Sequence, residues 1–197
     1  MSKSEGSATK AGRKRYTRWV ITIFLATIFI SGTISALSDL IMENTNMVFA
    51  FVILLFIIFV GVIFDVIGMA VASADEKPFH SMAARKVPGA TEAISLLRNA
   101  ERVSSICNDV IGDICGVVSG GASATIAVQI VRNFDFSLPQ IVSLLMSALA
   151  AGLTVGGKAI GKSFAVNSST TIVYAVGKVI SKLRCITSIF KKKNNKR

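Results

Sequence analysis

The sequence predicts an all-α membrane protein with about four transmembrane helices and cytoplasmic amphipathic helices beside the membrane. Three observations lead to this fold class. The chain has 197 residues, of which 52% are hydrophobic, and its mean hydropathy is +0.62. Long apolar segments alternate with polar stretches, and the basic residues cluster at the ends of these segments. Because the apolar segments take up most of the length, we expect one compact helical bundle and no second folded domain.

The N-terminal part divides into a basic tail and a first apolar segment. Residues 1–18 are polar and contain six Lys or Arg, which predicts a disordered cytoplasmic tail. Residues 19–40 are long enough to cross a bilayer as an additional helix, and Trp19 suits the membrane interface. A cleaved signal peptide is the alternative, because residues 33–38 are rich in small side chains. The length of the apolar run favours a retained helix.

Residues 47–190 form the predicted transmembrane domain. Its first apolar segment, residues 47–74, carries Gly61, Asp65 and Gly68 in its cytoplasmic half. The following segment, residues 75–102, is polar and mixed in charge, and residues 91–102 have the spacing of a short amphipathic helix. We expect the apolar side of this helix to lie on a membrane surface. The side chains concerned are Ala93, Ile94, Leu97 and Val103.

The next two apolar segments, residues 103–131 and 138–157, carry small residues at every fourth position. Such ladders let helix backbones approach closely, so we expect these two helices to pack through them. The ladders are Gly112, Gly116, Gly120 and Ala124 in one segment, and Ala148, Gly152 and Gly156 in the other.

The C-terminal part ends the predicted domain with an amphipathic segment. Residues 167–190 are apolar on one side and contain Lys178, Lys182 and Arg184, which predicts an interfacial helix, with a fifth span as the alternative. Residues 191–197 form a second basic tail.

The distribution of basic residues predicts the topology. Six Lys or Arg lie in the N-terminal tail, five in the segment 75–102 and ten from Lys158 onward, whereas the two opposite turns carry only Arg132. Four spans with both termini in the cytoplasm put every basic stretch on one side of a cell membrane. The same clusters suit anionic lipid head groups, and we expect the net charge of +11 to serve the membrane rather than nucleic acid.

Acidic residues inside the apolar segments are the main functional signal. Asp109 and Asp113 lie four residues apart, so they point from nearly the same face of a helix, and Asp65 lies in a neighbouring segment. An ionised Asp near the bilayer centre costs about 2.5–3.5 kcal/mol, so these acids need a partner, a proton or a cation. We predict an inward-facing site that binds and transports Mg²⁺ or a related divalent cation. Asn108 and Ser105 would add oxygen ligands, which Mg²⁺ prefers.

Three other interpretations of the acids stay open. Asp109 is close enough to the end of its helix to be solvated by head groups, and Asp113 has Lys158 or Arg102 as a candidate partner in a structural ion pair. Coupling to protons is the third. If no cation is moved, the chain is a membrane scaffold that recruits partners or anionic lipid through its basic ends.

Several other classes of function are disfavoured by the sequence. The cysteines have no CxxC spacing, which argues against zinc or a disulfide framework. The fingerprints GxSxG and HExxH, the P-loop and the dinucleotide-binding motif are absent from the sequence, so we expect no enzyme.

Three stretches follow one another in an order that resembles a known membrane domain. Gly68-Met-Ala-Val-Ala-Ser73 is similar to a Glu-Thr-Ala-Leu-Thr-Ser type motif at the end of a first helix. Residues 89–105 are similar to a cytosolic helix pair that leads into a second span. Gly152-Leu-Thr-Val-Gly-Gly-Lys158 is similar to a Gly-Glu-x-x-Pro-Lys motif, and an amphipathic helix follows it. Over about residues 48–185, the chain therefore resembles the transmembrane domain of the CNNM/CorB/CorC magnesium-transport family.

The resemblance implies a helical bundle that forms a homodimer, with a Mg²⁺ site among polar groups facing an inward cavity. Gly68 stands where the motif has glutamate, Thr154 where it has a second acid and Gly157 where it has proline. Asp65 falls on a position expected to be small and polar, and Asn108 is the nearest match to the family's asparagine in the second span. These departures imply either ligands moved toward aspartates or a loss of transport. The regulatory CBS pair that commonly follows the family's domain has no counterpart in this sequence.

Overall fold

The computed structural model describes residues 3–43, 45–134 and 138–194, and all its regular elements are helices. The predicted all-α fold class is therefore confirmed. In chain order the helices are α1 (Lys3–Glu43), α2 (Met47–Ser73), α3 (Lys77–Ala84), α4 (Ala90–Arg98), α5 (Ala100–Ser105), a π-helix (Ile106–Gly112), α6 (Asp113–Phe134), α7 (Pro139–Asn167) and α8 (Ser169–Asn194).

Four candidate spans lie among the described residues, the number that the sequence predicts. They are long and apolar enough to cross a membrane: Val20–Ser38, Met47–Ser73, Ala100–Phe134 and Pro139–Asn167. The third is continuous through α5, the π-helix and α6. Large apolar side chains on these helices, such as Phe29, Phe56 and Leu144, point outward, as expected for surfaces that face lipid. The chain is a membrane-embedded helical protein.

Helix α2 is the centre of the bundle, because it packs against both α6 and α7. Leu54 and Ile58 of α2 are buried against Ala122 and Ile126 of α6 and Met146 of α7. The small side chains on α6 allow the helices to come close, which strengthens packing where lipid removes the hydrophobic driving force between helices.

Four of the five ladder glycines do not serve the contact predicted for them, whereas the fifth, Gly112, lies against Lys158 of α7. A Cβ atom added at Gly116, Gly120, Gly152 or Gly156 would meet nothing within 4 Å, so the prediction that α6 and α7 pack through these positions is wrong. On α7 the close approach uses Gly157 and Gly161 instead, where an added Cβ would lie 2.9 Å and 2.6 Å from side-chain atoms of Val62 and Val66. These glycines face α2.

A second layer closes one end of the bundle with α3, α4 and α8. The segment predicted as one amphipathic helix over residues 91–102 is two helices, α4 and α5, separated at Asn99. Ala93 and Leu97 are buried in a cluster with Val71 of α2 and Val173 of α8. The predicted membrane-surface position of Ala93 and Leu97 is therefore wrong, because these side chains are covered by protein.

Helix α1 lies at the edge of the bundle, where it packs against α6. A Cβ atom added at Gly121 of α6 would lie 3.9 Å from Ser35 Oγ of α1. The helix begins at Lys3, inside the tail predicted to be disordered. Of the C-terminal basic tail, residues 191–194 belong to α8 and residues 195–197 lie outside the described residues.

Candidate cation site

Asp65 lies on a face of α2 that glycines keep open. Its side chain is only 9% exposed, and Gly61 and Gly68 flank it one turn away on either side. A Cβ at Gly61 would lie 2.8 Å from Cys115 Cβ, and one at Gly68 would lie 2.1 Å from Asn108 Oδ1. The absence of these two methyl groups lets the third span approach the buried carboxylate.

Lys158 of α7 supplies the positive charge at this point. Its Nζ is 3.5 Å from Asp65 Oδ1 and 4.0 Å from Asp113 Oδ1. Asp113 is the first residue of α6. A Cβ at Gly112 would lie 3.2 Å from Nζ and 3.6 Å from Asp65 Oδ1, so the π-helix ends directly against the pair. Carboxylates from two different spans thus meet at one ammonium group.

The two carboxylates differ strongly in exposure. The Asp65 side chain is buried, whereas the Asp113 side chain is 71% exposed, and the Lys158 side chain between them is 23% exposed. A buried ionised carboxylate without a partner costs several kcal/mol, so Asp65 depends on the lysine or on another cation. Asp113 forms the open side of the cluster and gives access to it.

The π-helix Ile106–Gly112 carries the remaining predicted ligands. Asn108 Nδ2 donates a hydrogen bond to Ser104 Oγ at 3.3 Å, while Asn108 Oδ1 is buried and accepts none. Ser105 Oγ donates to Asp109 Oδ2 at 2.8 Å, and Asp109 is exposed. π-Helices are rare in proteins, and those that do occur are often found at functional sites. In this one, the buried Oδ1 of Asn108 is a hydrogen-bond acceptor without a donor.

The structure therefore brings together some of the predicted site residues and not others. Asp65 and Asp113 meet at Lys158, and Asn108 lies beside Gly68, one turn along α2 from Asp65. Asp109 and Ser105 bond to each other instead. Over the part of the chain that the structure describes, no group of three or more His, Cys, Asp or Glu side chains is arranged to hold a metal ion. A cation here would need amide, backbone or water oxygens beside the carboxylates.

Lys158 and Gly112 belong to the site, although the sequence does not predict them as ligands. The sequence predicts Lys158 only as one of two alternative partners of Asp113, whereas its shorter contact is with Asp65. The sequence does contain a signal for this contact, because a lysine within a span normally pairs with an intramembrane acid.

No protein-family model, curated protein or solved structure matches the chain.

Proposed function

We propose that this chain is a multi-pass membrane protein that binds and transports Mg²⁺ or a related divalent cation at Asp65, Asp113 and Asn108. The observation that carries the proposal is the meeting of two carboxylates from different spans within 4.0 Å of one ammonium group. A position that holds a positive side chain between two carboxylates also attracts an external cation. Lys158 then acts as a tethered competitor, which leaves when the divalent ion enters.

The chemistry of the available ligands favours a hard divalent ion. Mg²⁺ usually binds one or two carboxylates and keeps several waters, and Asp113 is exposed enough to admit a hydrated ion. The buried Oδ1 of Asn108 has no hydrogen-bond donor. An unsatisfied buried acceptor costs about 1–3 kcal/mol, and a cation or one of its waters would remove that cost.

The resemblance to the CNNM/CorB/CorC family supports the same proposal, since it implies a Mg²⁺ site in a bundle of this kind. We further propose that both termini lie in the cytoplasm, because the basic residues then all lie on one side. The site would open to that side. The homodimer that the resemblance implies stays a prediction, and the open glycines Gly152 and Gly156 on α7 are where we expect the second copy.

A membrane scaffold without transport is the second candidate, and the same lysine favours it. If Lys158 never leaves Asp65 and Asp113, the cluster is a structural ion pair that joins three helices. Replacing one partner of such a pair destabilises a protein without creating any response to divalent ions. The two candidates therefore differ in what Mg²⁺ does.

The test compares Asp113→Asn with Asp109→Asn, two exposed acids four residues apart in one span. The purified protein in detergent should unfold at a higher temperature as Mg²⁺ is added, because a ligand that binds the folded state stabilises it. Asp113→Asn should abolish this rise, and Asp109→Asn should keep it. In proteoliposomes containing a Mg²⁺-sensitive dye, flux should follow the same pattern. An unchanged Mg²⁺ response in Asp113→Asn would refute the site, and stabilisation without flux would limit the function to binding.

A further inference from the structure

The outward face of α8 combines lysines with exposed aliphatic side chains. Lys178 and Lys182 are exposed, one turn apart, and each is followed by an aliphatic residue. Val179 is 56% exposed and Leu183 is 59% exposed. Two neighbouring rows, one basic and one apolar, therefore run along the same side of the helix.

The rotation of α8 is fixed by its inner face. Val173 is fully buried in the cluster shared with α2 and α4. At Gly177 an added Cβ would lie 2.5 Å from the carbonyl oxygen of Gly89 and 3.1 Å from Ala93 Cβ. These contacts leave no freedom to turn the aliphatic row inward, so Val179 and Leu183 must be presented away from the bundle.

Helix α8 follows a candidate span almost directly. Helix α7, a candidate span, ends at Asn167, and α8 begins at Ser169 after a single intervening residue. The chain from Lys158 onward contains ten Lys or Arg and no acidic residue. A helix of this kind lies in the interface with its apolar side chains among the acyl chains and its lysines at the head groups.

We propose that the outward face of α8 binds anionic phospholipid head groups, with Val179 and Leu183 inserted beside them. The ligand class is a phospholipid with a net negative head group, such as phosphatidylglycerol. Charge complementarity favours an anionic over a zwitterionic phospholipid, because each lysine near an anionic surface is attracted to the negative head groups. The proposal is independent of the cation site, since neither lysine contacts Asp65, Lys158 or Asp113 among the described ion pairs.

The test titrates phosphatidylglycerol or phosphatidylcholine into the full chain in detergent and counts bound lipid by native mass spectrometry. Lys178→Gln with Lys182→Gln should weaken phosphatidylglycerol binding about thirty-fold, from about 1 kcal/mol for each lysine, and leave phosphatidylcholine binding unchanged. The matched control is Lys77→Gln with Lys86→Gln, which removes two exposed lysines outside α8. High salt should weaken the wild-type preference.

The apolar row has its own variant. Val179→Ser with Leu183→Ser should weaken the binding of both lipids, because the apolar area removed is indifferent to head-group charge. Equal losses in the two lysine double variants would overturn the proposal, since the effect would then be one of net charge. Capture of a polyglutamate peptide through Lys178 and Lys182, with no preference for phosphatidylglycerol, would also overturn it and assign the face to an acidic protein.

Discussion

Replacing Lys158 with methionine tests whether this lysine competes with a divalent cation for Asp65 and Asp113 or stays paired with them permanently. Methionine keeps the apolar stem and removes the ammonium group. At an effective dielectric constant of about 20, the 3.5 Å contact with Asp65 is worth about 4.7 kcal/mol, while the 4.0 Å contact with the exposed Asp113 is worth about 1 kcal/mol in water. The lysine regains hydration when it leaves, since its side chain is 23% exposed. We therefore discount the total to about 2 kcal/mol of competition.

This energy predicts two effects in Lys158→Met. Without divalent ions, the variant should lose about 2 kcal/mol of stability and unfold about 4–8 °C lower, because two carboxylates share no counter-charge. With Mg²⁺ the unfolding temperature should recover, and half of the rise should occur at about thirty-fold lower Mg²⁺ than in the wild type. Circular dichroism in detergent measures both.

Lys162→Met is the matched control for this experiment. Lys162 is an exposed lysine one turn further along α7, so its replacement removes the same charge from outside the cluster. The control should unfold near the wild-type temperature with an unchanged Mg²⁺ response. If Lys158→Met is destabilised and Mg²⁺ does not restore it, the cluster is a structural ion pair. If Lys158→Met behaves like the control, the lysine does not compete at all.

Three glycine variants test the packing around the site and elsewhere in the bundle. Gly68→Ala puts a methyl group 2.1 Å from Asn108 Oδ1, so it should cost about 1–3 kcal/mol and weaken the Mg²⁺ response. Gly120→Ala, which meets nothing within 4 Å, should be neutral or stabilise by up to about 1 kcal/mol. Gly89→Ala combines a φ of +91° with a contact of 2.6 Å to the backbone nitrogen of Lys178, and should cost about 2–5 kcal/mol. Thermal unfolding in detergent measures all three, and a destabilised Gly120→Ala beside a neutral Gly68→Ala would contradict the packing described here.

The spans could be predicted from the sequence because a bilayer imposes one length and one polarity on every helix that crosses it. The hydrophobic pattern does not, however, indicate what each apolar helix face contacts. Ala93 and Leu97 have the spacing of an apolar face, and that spacing indicates burial without distinguishing lipid from protein. Since α8 covers these side chains, they belong to a core, which only the tertiary arrangement reveals.

The site was predictable in its acids and not in its geometry. An Asp within a span signals a partner by its cost alone, which is why Asp65 and Asp113 could be named. The four-residue spacing of Asp109 and Asp113 assumes an α-helix, whereas the π-helix carries Asp109 and ends at Gly112. A small residue permits a close contact between helices but does not determine which helix makes it. The ladder through Gly152 therefore could not identify the helix that packs against it.

Anomalous diffraction from crystals grown with Mn²⁺ in place of Mg²⁺ tests the central claim most directly, because Mn²⁺ accepts the same oxygen ligands. The account predicts a peak within bonding distance of carboxylate oxygens of both Asp65 and Asp113, with the ammonium of Lys158 moved away from its 3.5 Å contact. An ammonium still seated between the two carboxylates, with no peak beside them at saturating Mn²⁺, would contradict it.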